Sequence, residues 1–103
     1  MLSQFGSSDS SKDSENLELV ESSGYYDGYF AYYVEGTIKN NSDKQYSYAQ
    51  VTFTLYDADG AQIGTAIANI NNLEPNGVWK FKAIGSGDAS KVASYKLSEI
   101  TCW

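Results

Sequence analysis

Few side chains in this sequence can do chemistry, and the most versatile type is missing. There is no histidine among the 103 residues, which removes His-based acid–base catalysis, serine triads with a His base and the commonest zinc ligation. The one cysteine, Cys102, makes neither a zinc site nor an intrachain disulfide by itself. As a nucleophile it needs a neighbouring cation or base that the sequence does not place, so a packed or surface thiol is expected. Glycoside chemistry requires one carboxyl kept protonated in an apolar pocket, whereas the Asp and Glu residues here fall mostly in turns and on polar faces. The expectation is therefore a chain without catalytic residues, metal site or cofactor.

Three short motifs invite a chemical reading and have a plainer one. Asp57-Ala58-Asp59-Gly60 opens like a calcium loop, but the remaining oxygens and the closing bidentate Glu are missing, which leaves a hairpin turn. Gly85-Ser86-Gly87 lacks the Lys-Ser/Thr pair and the long helix that make a phosphate loop. Asn40-Asn41-Ser42 fits a glycosylation sequon, yet a polar turn explains it as well.

The stretch with most to offer a partner is Tyr25-Tyr26-Asp27-Gly28-Tyr29-Phe30-Ala31-Tyr32-Tyr33. Tyrosines outside a core present flat, amphipathic surfaces to a sugar or a protein, and Tyr25, Tyr26, Tyr29 and Tyr33 are the candidate binding residues. The alternative is structural: alternate rings fill the core and the others pair across strands on the outer face.

The elements that must position these residues are strands. Residues 1–16, rich in Ser and Asp, are too poor in apolar side chains to offset the entropy of ordering, and are expected to form a disordered tether. From Leu17 the pattern takes a period of two. A first strand is expected to end at Ser22-Ser23-Gly24, with Leu17, Leu19 and Glu21 sharing a face. The next, Tyr29–Lys39, places Tyr32, Val34, Gly36 and Ile38 on one face. The clearest, Tyr48–Asp57, sends Ala49, Val51, Phe53 and Leu55 inward and Gln50, Thr52, Thr54 and Tyr56 outward. Gln62–Ile70 returns from the Asp57–Gly60 turn as its hairpin partner. Trp79, Phe81 and Ala83 then alternate with Lys80 and Lys82, and Tyr95–Thr101 forms a last strand whose alternation breaks near Glu99-Ile100. Asp88 is placed to cap one helical turn over Ala89–Ala93. The fold class expected is all-β, an immunoglobulin-like two-sheet antiparallel β-sandwich of about 6–7 strands with at most one short helical turn over residues 17–103. Its core is expected to contain Val34, Val51, Phe53, Leu55, Trp79 and Phe81.

Composition narrows the partners. The net charge is −6, with the seven basic residues scattered, so nucleic acid and anionic membrane surfaces are poor matches. No stretch approaches the roughly 20 apolar residues that cross a bilayer, so no direct membrane insertion is expected.

Phe53-Thr54-Leu55-Tyr56-Asp57 resembles the signature of the FxLYD domain family. The likeness extends to Val34-Glu35-Gly36-Thr37-Ile38-Lys39-Asn40-Asn41-Ser42 upstream and to Leu73-Glu74-Pro75-Asn76-Gly77-Val78-Trp79-Lys80-Phe81 downstream, about half the chain. The resemblance implies an immunoglobulin-like sandwich of bacterial and archaeal envelope proteins, often behind a lipoprotein or membrane anchor, and no known activity. The Leu2–Ser8 segment is similar to the region after a lipoprotein cleavage site but lacks the cysteine. The functional expectation is a non-catalytic, extracytoplasmic, monomeric binding or spacer module with a protein or carbohydrate partner. The alternative is a structural subunit that self-associates through an edge strand.

Overall fold

In the computed structural model, residues 14–103 are described; the segment expected as a tether falls mainly on residues 1–13, outside the described residues. Asn16, at the end of that segment, is tied to the fold: its side-chain amide donates to the Tyr46 hydroxyl at 2.8 Å, and its carbonyl accepts from the Asn41 N–H at 2.7 Å.

Six antiparallel strands follow: β1 (Leu17–Tyr26), β2 (Tyr32–Asn40), β3 (Tyr46–Tyr56), β4 (Gln62–Leu73), β5 (Val78–Gly85) and β6 (Ser94–Cys102), with one 3₁₀ turn at Ala89–Lys91. They form a single curled sheet in the order β1-β2-β5-β4-β3-β6. The sequence leads one to expect two separate sheets. The ladder instead runs through all six strands and narrows between β4 and β5 to two residue pairs, Ala66↔Gly85 and Ile67↔Ile84.

Curling brings the β1-β2-β5 half over the β4-β3-β6 half. Val34, Ile38, Val51, Phe53, Leu55, Trp79, Phe81 and Ala83 are all buried between them. The Phe53 and Phe81 rings stack with centroids 5.7 Å apart, joining β3 to β5 across the interior, and Tyr95 of β6 meets Phe53 edge-on at 5.6 Å. At the open side the Ser22 hydroxyl and the Tyr95 hydroxyl are hydrogen-bonded at 2.8 Å, linking β1 to β6. Cys102 is buried at the end of β6.

Several details differ from the sequence reading. The strand expected over Tyr29–Lys39 begins only at Tyr32, because the N–H groups of Tyr29, Phe30 and Ala31 turn to the Asp27 carboxylate. β1 does not stop at Ser22-Ser23-Gly24 but continues to Tyr26, because Ser22, Ser23 and Gly24 pair with Gly36, Glu35 and Val34. A β-bulge between Leu19 and Glu21 inserts one residue and exchanges the faces, so Glu21 points outward instead of sharing the side of Leu17 and Leu19. In β6 the irregularity opposite Thr52/Phe53 lies between Leu97 and Glu99, just before the step where the sequence places it. β4 runs on to Leu73, which is buried beyond Asn72, a residue at φ 58°. The short helical turn is present as 3₁₀, its first N–H groups partly satisfied by Asp88, whose side chain accepts from Ser90 N–H at 3.2 Å.

Asn40 is fully buried at the end of β2. Its side-chain amide donates to the carbonyls of Lys44 (2.8 Å) and Glu74 (3.0 Å), while its oxygen accepts from the Ser42 N–H and hydroxyl at 3.1 and 2.7 Å. Both amide hydrogens are thus engaged and out of solvent, and the folded chain offers no acceptor nitrogen at the sequon.

Candidate functional site

The four candidate tyrosines do not form one cluster. Tyr25 and Tyr33 are cross-strand partners of β1 and β2 on the outer face, with ring centroids 5.5 Å apart. Tyr26 pairs with the buried Tyr32 but lies past the end of the core and is exposed. Tyr29 sits at the tip of the β1–β2 connection, and the Tyr26 hydroxyl donates to its carbonyl at 3.4 Å. This is the arrangement of the structural alternative: Tyr32 fills the interior while Tyr25 and Tyr33 pair outside.

The tip owes its shape to Asp27. One carboxylate oxygen accepts from the N–H groups of Tyr29, Phe30 and Ala31 at 2.8, 3.1 and 3.3 Å, and the Asp27 N–H donates to the Ala31 carbonyl at 3.0 Å. Gly28, at φ 85°, takes the left-handed conformation the turn needs. Three donors around one carboxylate favour its ionised form, and the Asp27 pKa is lowered, first by the Tyr29 N–H. The result is a pinned loop that holds Tyr29 83% and Phe30 80% exposed.

Behind the tip, the outer face carries a charged network that orients its rings. The Tyr25 hydroxyl donates to the Glu35 carboxylate at 2.7 Å, Lys82 Nζ lies 3.7 Å from the same oxygen, and Lys82 Nζ sits 4.5 Å above the Tyr33 ring centroid. The Tyr25 phenol is held above its ordinary pKa, first by the hydrogen bond to Glu35. Lys82 is raised as well, first by charge interaction with Tyr25. These groups are open to water, so the network fixes ring positions more than it stabilises the fold.

Register extends the surface further than the sequence reading reached. Tyr25 lies opposite Tyr33, Tyr33 opposite Ile84 and Ile84 opposite Ile67, which gives one transverse row over β1, β2, β5 and β4. Ile84 and Ile67 are 60% and 45% exposed. Ile67 and Ile84 were legible only as apolar residues at outward positions: Ile84 follows the outward Lys80 and Lys82, and Ile67 lies between the inward Ala66 and Ala68.

The other two motifs are absorbed by the fold. The Asp57 carboxylate accepts from the N–H groups of Asp59 and Ala61, both at 2.9 Å, so its oxygen serves the turn. Ser86 N–H donates to the Thr65 carbonyl at 2.7 Å, which fastens Gly85-Ser86-Gly87 to β4.

Comparison with known proteins gives fold more than function. No protein-family profile matches the sequence. The chain is 28% identical over 103 residues to the uncharacterized protein MJ0360 of Methanocaldococcus jannaschii, covering 96% of this chain and 76% of that one. The fold is similar to that of IrmA from Escherichia coli, with a TM-score of 0.52 and 12% identity over 84% of this chain and 75% of the other.

Proposed function

We propose that this chain is a non-catalytic binding module of an extracytoplasmic protein, which meets a protein or carbohydrate partner through the aromatic surface of the β1–β2 hairpin. The observation that carries this reading is the Asp27-pinned tip, because it holds Tyr29 and Phe30 in water without any gain to the core. Rigid, desolvatable rings are the kind of residue that anchors an interface, since little conformational entropy is lost when they are covered.

The same proposal takes the fold as an immunoglobulin-like sandwich of the FxLYD kind. In support, β1-β2-β5 and β4-β3-β6 form two three-stranded halves with a dry layer between them. Phe53 and Leu55 lie in that layer, Tyr56 lies on the other face, and Asp57 fixes the following turn. Monomer is favoured over edge-to-edge assembly because both edge strands, β1 and β6, carry a register shift that blunts pairing.

The test combines glycan and protein arrays with a Tyr29→Ser/Phe30→Ser variant, alongside light scattering over a concentration series. Binding to at least one class of ligand, lost in the variant while its melting temperature is kept, is the expected result. Absence of any ligand, or a dimer that forms as concentration rises, overturns the reading.

A further inference from the structure

A depression lies on the outer face where the bulged β1 runs beside β2 at Gly36. A Cβ at Gly36 would collide with the Glu21 carbonyl and meet the Phe81 ring at 2.8 Å, so only glycine lets β1 cross so close. The depression, about 240 Å³, is lined by the outward side chains of Glu21, Ser23, Glu35, Thr37 and Lys80, with Gly36 and Phe81 at its floor. Tyr25 flanks it: it follows Ser23 by two residues on the same face of β1, and its hydroxyl is bonded to Glu35.

We infer that this depression, with the Tyr25–Tyr33 pair beside it, is a binding site for an uncharged saccharide. The inference rests on the binding-module reading and narrows it to a second face and one ligand class. Size is the first argument. Small-molecule sites commonly span about 300–1,000 Å³, so a space of about 240 Å³ takes one sugar ring, with the next unit lying over Tyr25 and Tyr33. Chemistry is the second. The Thr37 hydroxyl donates to Glu21 Oε2 at 2.9 Å and the Tyr25 hydroxyl to Glu35 Oε2 at 2.7 Å, which leaves the second oxygen of each carboxylate free to accept from a sugar hydroxyl. Among the described residues Lys80 makes no ion pair and is free to donate, and Ser23 and Thr37 add hydroxyls. An array of acceptors and donors beside a flat ring suits a molecule with hydroxyls around its rim and a C–H face.

Charge is the third argument. Glu21 and Glu35 balance Lys80 and Lys82 at the site, while the chain as a whole carries −6, so a polyanion gains nothing locally and is repelled overall. A protein partner is served less well here, because its anchor residues need deep apolar sockets and this depression is shallow and polar.

The experiment is a ¹H–¹⁵N titration of the whole chain with soluble oligosaccharides of β-1,4-linked glucose, β-1,4-linked N-acetylglucosamine and α-1,4-linked glucose, and with an oligouronate as the charged comparator. The expected result is that at least one neutral probe, at millimolar concentration, shifts the amides of Ser23, Tyr25, Glu35, Thr37 and Lys80. Tyr25→Ala should weaken binding at least tenfold. Lys80→Met, which removes no interaction of the fold, should weaken it measurably with an unchanged melting temperature. Three results overturn the inference: no shift with any neutral probe, stronger binding of the oligouronate, or shifts confined to the hairpin tip. If the arrays yield a ligand that depends on the tip while every neutral saccharide leaves the depression unshifted, this inference fails and the binding-module reading stands.

Discussion

Asp27–Ala31 and Asp57–Ala61 close their hairpins in the same way. In each, the Asp N–H donates to the Ala carbonyl, at 3.0 and 2.9 Å, and one Asp oxygen accepts backbone N–H groups inside the loop. Each has one glycine at positive φ, but in a different place: Gly28, at 85°, directly follows the Asp, and Gly60, at 84°, directly precedes the Ala. The residues around that glycine differ: Tyr29 and Phe30 in the first loop, Ala58 and Asp59 in the second. The second loop makes the same Asp-to-Ala closure without aromatic residues, and in the first the closing bonds run between Asp27 and backbone groups, so they do not depend on the two bare rings. The strands behind the loops differ too, since β3 lies between β4 and β6 whereas β1 is an edge.

That comparison can be broken at several points. The largest effect concerns the strands. Phe53→Ala in β3 should cost about 3–5 kcal/mol in urea unfolding, and Leu19→Ala on the edge strand less than about 2 kcal/mol. Similar losses at both positions would mean that the hairpins are equally central to the core. Next come the turn glycines. A Cβ added to either would have no atom within 4 Å, so Gly28→Ala and Gly60→Ala should each cost only the left-handed penalty, about 1–2 kcal/mol. Markedly unequal values would show that the turns are not equivalent.

A smaller effect concerns acid. Because the Asp27 pKa is lowered in the folded chain, the stability it contributes is fully present above the ordinary carboxylate range and is lost as pH falls through the lowered value. Amide exchange at Tyr29, Phe30 and Ala31 should therefore stay slow until pH drops below that ordinary range, and NMR titration of the Asp27 carboxyl should report the same midpoint. Exchange that quickens at the ordinary value would remove the carboxylate from its role in the turn. The smallest effect is the most telling: Tyr29→Ser/Phe30→Ser should change unfolding free energy by no more than about 0.5 kcal/mol, as exposed substitutions do. A large loss would return the rings to a structural role.

Much of the fold was legible because period two is a strong signal where one face is buried. The inward set Ala49, Val51, Phe53 and Leu55 and the set Trp79, Phe81 and Ala83 lie in the interior as their alternation implies. Glu21 was misplaced because a bulge leaves no mark on alternation when the residues after it are small and polar, as Ser22, Ser23 and Gly24 are. The continuity of the sheet was hidden for another reason: the Ala66–Gly85 and Ile67–Ile84 pairs join residues distant in sequence, and no local pattern encodes partners so far apart. At the site, composition marked the aromatic hairpin. The depression did not show, since its lining residues Glu21, Ser23, Glu35, Thr37 and Lys80 come from three strands whose mutual register no local pattern encodes.

The short Ala66–Gly85 and Ile67–Ile84 ladder acts as the spine of a book whose covers are the two halves. A spine of two pairs fixes which covers face each other but exerts little leverage on how wide they stand, so that width is left to the girth of Phe53, Phe81 and Trp79. Swapping rings of different bulk in the interior would then be felt on the outside as a changed angle between the covers, and the Tyr33–Ile84–Ile67 row, which crosses the spine, is where that change would surface.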